Sequence, residues 1–181
     1  LNNLNFNNSI ANNYFLNGST AINLYNSSQN KIIANNCRYQ FDGIVISSSN
    51  NNIVSENNIG NATQNSIAVY SGINNNLTDN TLLSGNRGFY VGSGSAGSAI
   101  LRNKMTGNGS AILLSGVSGL VVANNEMFDN IGYGLELTNA TSNYFSQNQI
   151  DSNGYYAVYM TGTCDGDTFN FNNFYLNPSK T

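Results

Sequence analysis

The most regular feature of the chain is an apolar residue that recurs every 22 to 24 positions. These anchor positions are Ile10, Ile32, Val54, Leu77, Ile100, Val122, Phe145 and Phe169. Three residues after each anchor stands an asparagine, and two residues later another apolar residue. The asparagines are Asn13, Asn35, Asn57, Asn80, Asn103, Asn125, Asn148 and Asn172. Although 38 of the 181 residues are Asn, chance would fill far fewer than all of these positions, so the repeat predicts a solenoid.

A third apolar block in each repeat shows whether the unit is helical or strand-based. It alternates with period two, as in Gly43-Ile44-Val45-Ile46 and Gly134-Leu135-Glu136-Leu137, and that period indicates strands. The Asn, Gly and Ser residues between the blocks favour turns. We therefore predict an all-β fold, a single-stranded parallel β-helix of about eight coils, each with three short strands. Strand twist and connection handedness predict a right-handed coil.

The repeated asparagines are expected to form an internal ladder. At each bend some backbone groups turn away from the sheet, and leaving them buried without a partner costs about 1–3 kcal/mol each. An inward Asn carries both a donor and an acceptor, so stacked amides can bond to one another and to the bend. A second polar column stands two residues before the anchors, interrupted by Leu120; it consists of Asn8, Asn30, Asn52, Asn75, Ser98, Asn143 and Asp167.

The triads Asn57-Asn58-Ile59 and Asn125-Glu126-Met127, with the two alternating runs above, resemble the right-handed parallel β-helix superfamily, the pectate-lyase-like proteins. The resemblance extends over Ile10–Asn177. Within the superfamily, the chain is most similar to the Asn-rich repeats called NosD-like or CASH-type, as in archaeal adhesin-like surface proteins. The superfamily implies this fold and includes polysaccharide lyases, hydrolases, epimerases, tailspikes and adhesins. It therefore implies little about which activity this chain has.

Composition narrows the classes of function. Charged residues make up 8% of the chain and the net charge is −3, which gives no basic stripe for nucleic acid. No apolar run is long enough to span a membrane. We expect residues 1–181 to form one β-helix domain, as a segment of a longer extracellular or cell-surface protein. The chain has no His, and only two Cys and three Met, so we predict no cofactor and no metal, and NosD-type copper handling is disfavoured.

Stacking the repeats gathers one group of charges, which is the best candidate for chemistry. Glu56, Asp79 and Arg102 fall two residues after their anchors, and Lys104 and Glu126 four residues after theirs. On adjacent coils these side chains are expected to share an outer face. Carboxylates beside cations suit a lyase or epimerase, whereas ion pairs along an exposed strand face are the plainer interpretation.

Four further features are interpreted without a functional role. Asp165-Gly166-Asp167, with Asp151 upstream, resembles a fragment of a Ca²⁺ loop but is predicted to be a turn. The outward tyrosines Tyr25, Tyr70, Tyr90 and Tyr159 are expected to be isolated. Cys37 and Cys164 lie too many coils apart for a disulfide. Seven glycosylation sequons begin at Asn7, Asn17, Asn26, Asn61, Asn76, Asn108 and Asn139, a number that chance alone explains.

Three hypotheses of function remain. The first is a structural or adhesive module whose partners are polysaccharide or neighbouring β-helical or surface-layer subunits. The second is a polysaccharide lyase or epimerase that uses the charged face. The third is a carbohydrate-binding module without catalysis.

Overall fold

The computed structural model describes residues 5–177, and within that range every regular element is a β-strand. Residues 5–177 contain no helix that could cross a membrane. The strands form three columns, and each strand pairs in parallel with its equivalent in the next coil. The chain is therefore a parallel β-solenoid, as the repeat predicts.

The first column is one eight-stranded sheet. Its strands are β1 (Ser9–Ala11), β3 (Lys31–Ile33), β5 (Ile53–Ser55), β8 (Asn76–Thr78), β11 (Ala99–Leu101), β14 (Val121–Ala123), β17 (Tyr144–Ser146) and β20 (Thr168–Asn170). Each anchor pairs with the next, from Ile10 with Ile32 to Phe145 with Phe169. The predicted register is thus confirmed at all seven steps.

The second and third columns belong to one thirteen-stranded sheet, because two long strands, β2 (Tyr14–Tyr25) and β4 (Asn36–Ser47), run through both. The other strands of the second column are β6 (Asn58–Gly60), β9 (Thr81–Leu83), β12 (Lys104–Thr106), β15 (Glu126–Phe128), β18 (Gln149–Asp151) and β21 (Asn173–Tyr175). Those of the third are β7 (Asn65–Ser71), β10 (Arg87–Val91), β13 (Ser110–Ser115), β16 (Tyr133–Thr138) and β19 (Val158–Thr161).

Two details of the predicted coils need correction. The first two coils carry two strands rather than three, since pairing between β2 and β4 continues through the bend at Gly18 and Gln40. The described residues hold seven complete coils and two strands of an eighth, rather than eight complete coils. The core lies inside the coils, where the anchors from Ile32 to Phe145 are fully buried. Each such side chain contributes about 1.5–3 kcal/mol to folding.

The bends are built from residues in the left-handed region of the backbone. Such a conformation is uncommon outside Gly, Asn and Asp, yet it recurs at the second residue after each anchor. These residues are Asn12, Ala34, Glu56, Asp79, Arg102, Asn124, Gln147 and Phe171, with φ between 54° and 60°. Because even Ala34, Arg102 and Phe171 adopt it, the solenoid imposes the bend, whatever side chain the position carries.

The predicted Asn ladder is confirmed along its whole length. At each step the backbone N–H and Nδ2 of one Asn donate to Oδ1 of the Asn in the next coil. Every rung from Asn35 onward also donates from Nδ2 to the carbonyl oxygen of the anchor in the preceding coil. The ladder therefore satisfies the bend backbone, which is the role expected of it.

Two further ladders occupy other bends. The second polar column bonds in the same way from Asn8 to Asn75 and from Asn143 to Asp167. Between these two parts, the Leu120 backbone N–H donates to Asn143 Oδ1 at 3.0 Å. The third ladder was not predicted. It stands eight residues after the anchors and links Asn108, Asn130, Asn153 and Asn177.

The coils differ in length only beside the third strand. From two residues before each anchor to eight residues after it, every coil keeps the same spacing, a segment that we name the constant arc. Beyond it the spacing varies: Ile32 and Ile44 are twelve residues apart, whereas Val54 and Ile67 are thirteen apart. The bends that flank the third strand thus absorb the irregularity of the repeat.

Candidate functional site

The five charged residues predicted to form one face occupy two different kinds of position. Glu56, Asp79 and Arg102 lie in the left-handed bends, with φ of 58°, 58° and 54°. Lys104 and Glu126 begin β12 and β15, which are paired neighbours. The five are close along the solenoid, but the structure joins four of them in two ion pairs, Asp79 with Arg102 and Lys104 with Glu126, and not as one cluster.

The first pair is a bidentate ion pair between adjacent coils. Arg102 donates from Nε to Asp79 Oδ1 and from Nη2 to Asp79 Oδ2, both at 2.8 Å. These hydrogen bonds lower the pKa of the Asp79 carboxyl below its ordinary value and raise that of Arg102. A carboxylate held in this way is a weak proton acceptor.

The second pair opens onto a groove. Lys104 Nζ lies 4.0 Å from Glu126 Oε2 and 4.9 Å from the centre of the Phe128 ring. Around them is an open depression of about 340 Å³, which we name the charged groove. It is lined by Lys104, Glu126, Phe128, Asp129, Gln149, Asp151 and Ser152.

The groove crosses three consecutive coils along the second strand column. Glu126 and Phe128 pair in register with Gln149 and Asp151, and Ser152 Oγ donates to Asp151 Oδ1 at 2.8 Å. It holds three carboxylates, one ammonium, one amide and one hydroxyl beside an aromatic ring. Sequence reasoning found only Lys104 and Glu126, although stacking the fourth, sixth and seventh residues after each anchor would have found the others.

Three of the four outward tyrosines, Tyr70, Tyr90 and Tyr159, are not isolated, contrary to expectation. Tyr70 and Tyr90, on adjacent coils, lie 5.4 Å apart between ring centres. Tyr159 stacks on Tyr133 at 4.8 Å with 12° between the ring planes, and on Tyr156 at 6.0 Å with 11°. With Tyr155, which meets Tyr133 edge-on at 5.5 Å, these residues form what we name the tyrosine cluster: Tyr133, Tyr155, Tyr156 and Tyr159.

Glu136 lies at the border of the tyrosine cluster. It pairs in register with Tyr159, and its Oε2 accepts a hydrogen bond from Ser110 Oγ at 2.9 Å. Desolvation, followed by the charges of Tyr159 and Glu136, raises the pKa of the Tyr133 phenol. The phenol therefore keeps its proton at neutral pH and remains a hydrogen-bond donor.

The acidic turn is confirmed as a turn. Asp165 and Gly166 form it, and Asp167 Oδ1 accepts hydrogen bonds from Asn143, so that Asp167 is the last rung of the second ladder. Asp151 belongs to the charged groove instead. Within residues 5–177, no group of three His, Cys, Asp or Glu residues could hold a metal ion.

One of the seven sequons is inaccessible. Asn108 is fully buried as a rung of the third ladder, so it is not available for glycosylation as the sequence suggested. The other six are at least partly exposed, and their glycosylation stays a prediction. Cys37 is buried and Cys164 half-buried, and both are free thiols, as expected.

Comparison with known protein families shows the family of the chain. The model of a family described as "Periplasmic copper-binding protein (NosD)" matches residues 6–181. The chain belongs to the NosD family. Among curated proteins, none matches the sequence.

Solved structures agree with this fold. A double mutant of the periplasmic alginate epimerase AlgG superimposes with a TM-score of 0.80 at 14% identity, covering 94% of this chain and 50% of that one. A second AlgG structure gives a TM-score of 0.58 at 14% identity, covering 96% and 49%. The chain thus spans about half the length of these neighbours. At such low identity the likeness shows the fold alone.

The residues of this NosD-family chain do not fit copper. Proteins bind copper through His, Cys and Met side chains, and the chain has no His. Cys37, Met105 and Met127 are fully buried core residues in different coils. That leaves Met160 and Cys164, which are too few to complete a copper site.

Proposed function

We propose that this protein is a rigid β-solenoid module that binds a polysaccharide through the charged groove and does not cleave it. The observation that carries the proposal is the groove itself, which crosses three coils beside the ring of Phe128. Carboxylates and the amide of Gln149 can bond to sugar hydroxyls, and an aromatic ring can pack on the apolar face of a sugar. The two coil-to-coil steps give it a length of about 10 Å.

The ion pairs favour binding over catalysis. A lyase or epimerase needs a free base beside a cation that neutralises the uronate. Arg102 already holds Asp79 and lowers its pKa, and Lys104 is within ion-pair distance of Glu126. The catalytic role of Glu56, Asp79, Arg102, Lys104 and Glu126 thus stays a prediction that the geometry disfavours.

The charge of the groove favours an uncharged ligand. Three carboxylates face one ammonium, so a polyuronate would bring further negative charge to an acidic site. Like charges brought together in a binding site disfavour that ligand by several kcal/mol. We therefore infer a neutral, hydroxyl-rich polysaccharide.

We place the module outside the cytoplasm. The family description and the AlgG structures both name periplasmic proteins, which supports a location in the cell envelope or beyond it. A stiff solenoid with few charges would serve there as the structural or adhesive part of a longer surface protein. Its other partners would be neighbouring solenoid or surface-layer subunits.

Affinity electrophoresis tests the proposal. The purified chain would be run through gels that contain neutral glucan or mannan, and in parallel through gels with alginate or pectate. We expect retardation by a neutral polysaccharide, and less retardation of Asp151→Ala and Phe128→Ala. Thr63→Ala, an exposed change in another coil, should migrate like the wild type.

Two results would contradict the proposal. If no polysaccharide retards the chain, the groove is not a carbohydrate site. If incubation releases unsaturated uronates, and Asp79→Ala abolishes that release while the variant stays folded, the protein is an enzyme of the lyase class.

A further inference from the structure

The tyrosine cluster lies on a different strand column from the charged groove. The groove follows the second column, whereas Tyr133 begins β16 and Tyr159 lies in β19, both in the third column. Neither the predicted sites nor the groove includes these rings. Their arrangement therefore calls for a separate explanation.

The geometry of the cluster is that of a stack with aligned planes. The rings of Tyr133, Tyr156 and Tyr159 are parallel to within 12°, with centres 4.8 to 6.3 Å apart. Tyr159 of this stack and the edge-on Tyr155 are nevertheless 36% and 37% exposed, so part of the aromatic surface of the cluster stays open. Aromatic surface left open in this way is typical of a site for a ligand with a flat apolar face.

The rings stand on a rigid base. Tyr155 N–H donates to the Gly132 carbonyl oxygen at 2.9 Å, and Gly134 N–H donates to the Tyr156 carbonyl oxygen at 3.1 Å. Tyrosine has few rotatable bonds, so a ligand would order little more of the protein when it binds. The cluster is thus already organised for stacking.

The charges around the cluster restrict what can stack there. Glu136 borders it. Among the described strands β7, β10, β13, β16 and β19, the only basic residue is Arg87, two coil steps from Tyr133 through Ser110. That separation is about 10 Å. Nucleic-acid bases also stack on tyrosine, but their phosphates need a basic groove, and a polyuronate would meet the Glu136 carboxylate.

We propose that the tyrosine cluster is a second saccharide site, which takes neutral pyranose units with equatorial hydroxyl groups. Such a unit presents a flat face of C–H bonds to the rings and directs its hydroxyls sideways, where Glu136 and the phenols can bond to them. This inference rests on the proposed carbohydrate-binding function and adds a site that recognises sugar by stacking.

Solution NMR with isotope labels on both the tyrosine rings and the backbone amides tests the inference without any substitution. The intact chain would be titrated with a neutral gluco-oligosaccharide, and separately with an alginate oligosaccharide. We expect chemical-shift changes in the rings of the tyrosine cluster with the neutral sugar only. The Tyr25 ring, exposed at the end of β2, should not shift.

Variants then separate stacking from hydrogen bonding. Tyr159→Ala should weaken binding of the neutral sugar about tenfold, which corresponds to about one stacked ring. Tyr159→Phe should retain affinity within about twofold, because it keeps the ring. Tyr25→Ala should bind like the wild type, and thermal melting would verify that each variant is folded.

The outcomes distinguish this inference from the proposed function. Shifts confined to backbone amides of the charged groove would overturn the tyrosine site and leave the groove standing. No shift at either place would overturn both. Unchanged affinity in folded Tyr159→Ala would also refute the tyrosine site.

Discussion

Removing one central rung of the first ladder gives the sharpest test of what stabilises the solenoid. Asn80 is 1% exposed. Its Oδ1 accepts from Asn57 N and Nδ2, both at 3.0 Å, and its Nδ2 donates to the Val54 carbonyl oxygen at 2.9 Å. In Asn80→Ala the Nδ2 of Asn57 keeps its bonds to two carbonyl groups.

The Asn57 backbone N–H loses the acceptor that Asn80 supplied. The Val54 carbonyl lies inside the parallel ladder of β5 and β8, where the strand pairing also supplies a donor. With one buried group orphaned, the loss amounts to about 1–3 kcal/mol of unfolding free energy.

Urea denaturation followed by circular dichroism and tyrosine fluorescence would measure this loss. Asn76→Ala is a matched control, since Asn76 is exposed in the same coil and should change stability by no more than about 0.5 kcal/mol. Asn13→Ala should also cost little, since Asn13 is an exposed rung at the start of the ladder. If Asn80→Ala unfolds at the wild-type urea concentration, the hydrogen bonds of the ladder do not hold the coils together.

Two further predictions concern the backbone and the core. Ala34→Gly should stabilise the protein by up to about 1 kcal/mol, because Ala34 has a φ of 55° that costs an L residue about 1–2 kcal/mol. Ala68→Gly, in strand β7, should instead destabilise it by about 1 kcal/mol. Melting temperatures would show whether the two changes have opposite signs. Burial raises the pKa of Cys37 from 9.0 to about 11. The stability that this thiol contributes is therefore fully present below pH 9 and is lost as the pH rises through about 11. Unfolding curves from pH 8 to pH 11 should show a loss of unfolding free energy of at most about 3 kcal/mol, and Cys37→Ala should reduce that loss.

The sequence predicts the architecture because the solenoid repeats one local solution. An anchor, an asparagine three residues on and an apolar residue two further on determine the register, and all seven anchor pairs follow it. The third ladder was accessible by the same reasoning, since Asn108 and Asn130 stand eight residues after their anchors. It was missed because Gly18, Gln40, Ala62 and Gly85 occupy that position in the other described coils.

The surface sites were harder to predict, for two physical reasons. The spacing between the anchor and the third strand shifts by one residue in some coils. Counting from the anchors therefore does not pair Tyr133, eleven residues after Val122, with Ser110, ten residues after Ile100, although the two are in register. The ion pair of Asp79 and Arg102 depends on side-chain rotamers at bends, which no periodicity reveals. Core and ladder positions are fixed by the repeat, whereas surface contacts depend on the irregular bends.

The unequal flexibility of coil length has a consequence for how such a protein can change. An insertion within the constant arc would move at least one ladder rung out of register and orphan buried groups in two coils. An insertion beside the third strand is already tolerated, as the spacings of twelve and thirteen residues show. Tyr155 and Tyr156 lie in such a bend. New recognition loops can therefore be gained or grafted in these bends without disturbing the ladders. The side of the solenoid beside the third strand can vary in length, whereas the constant arc cannot.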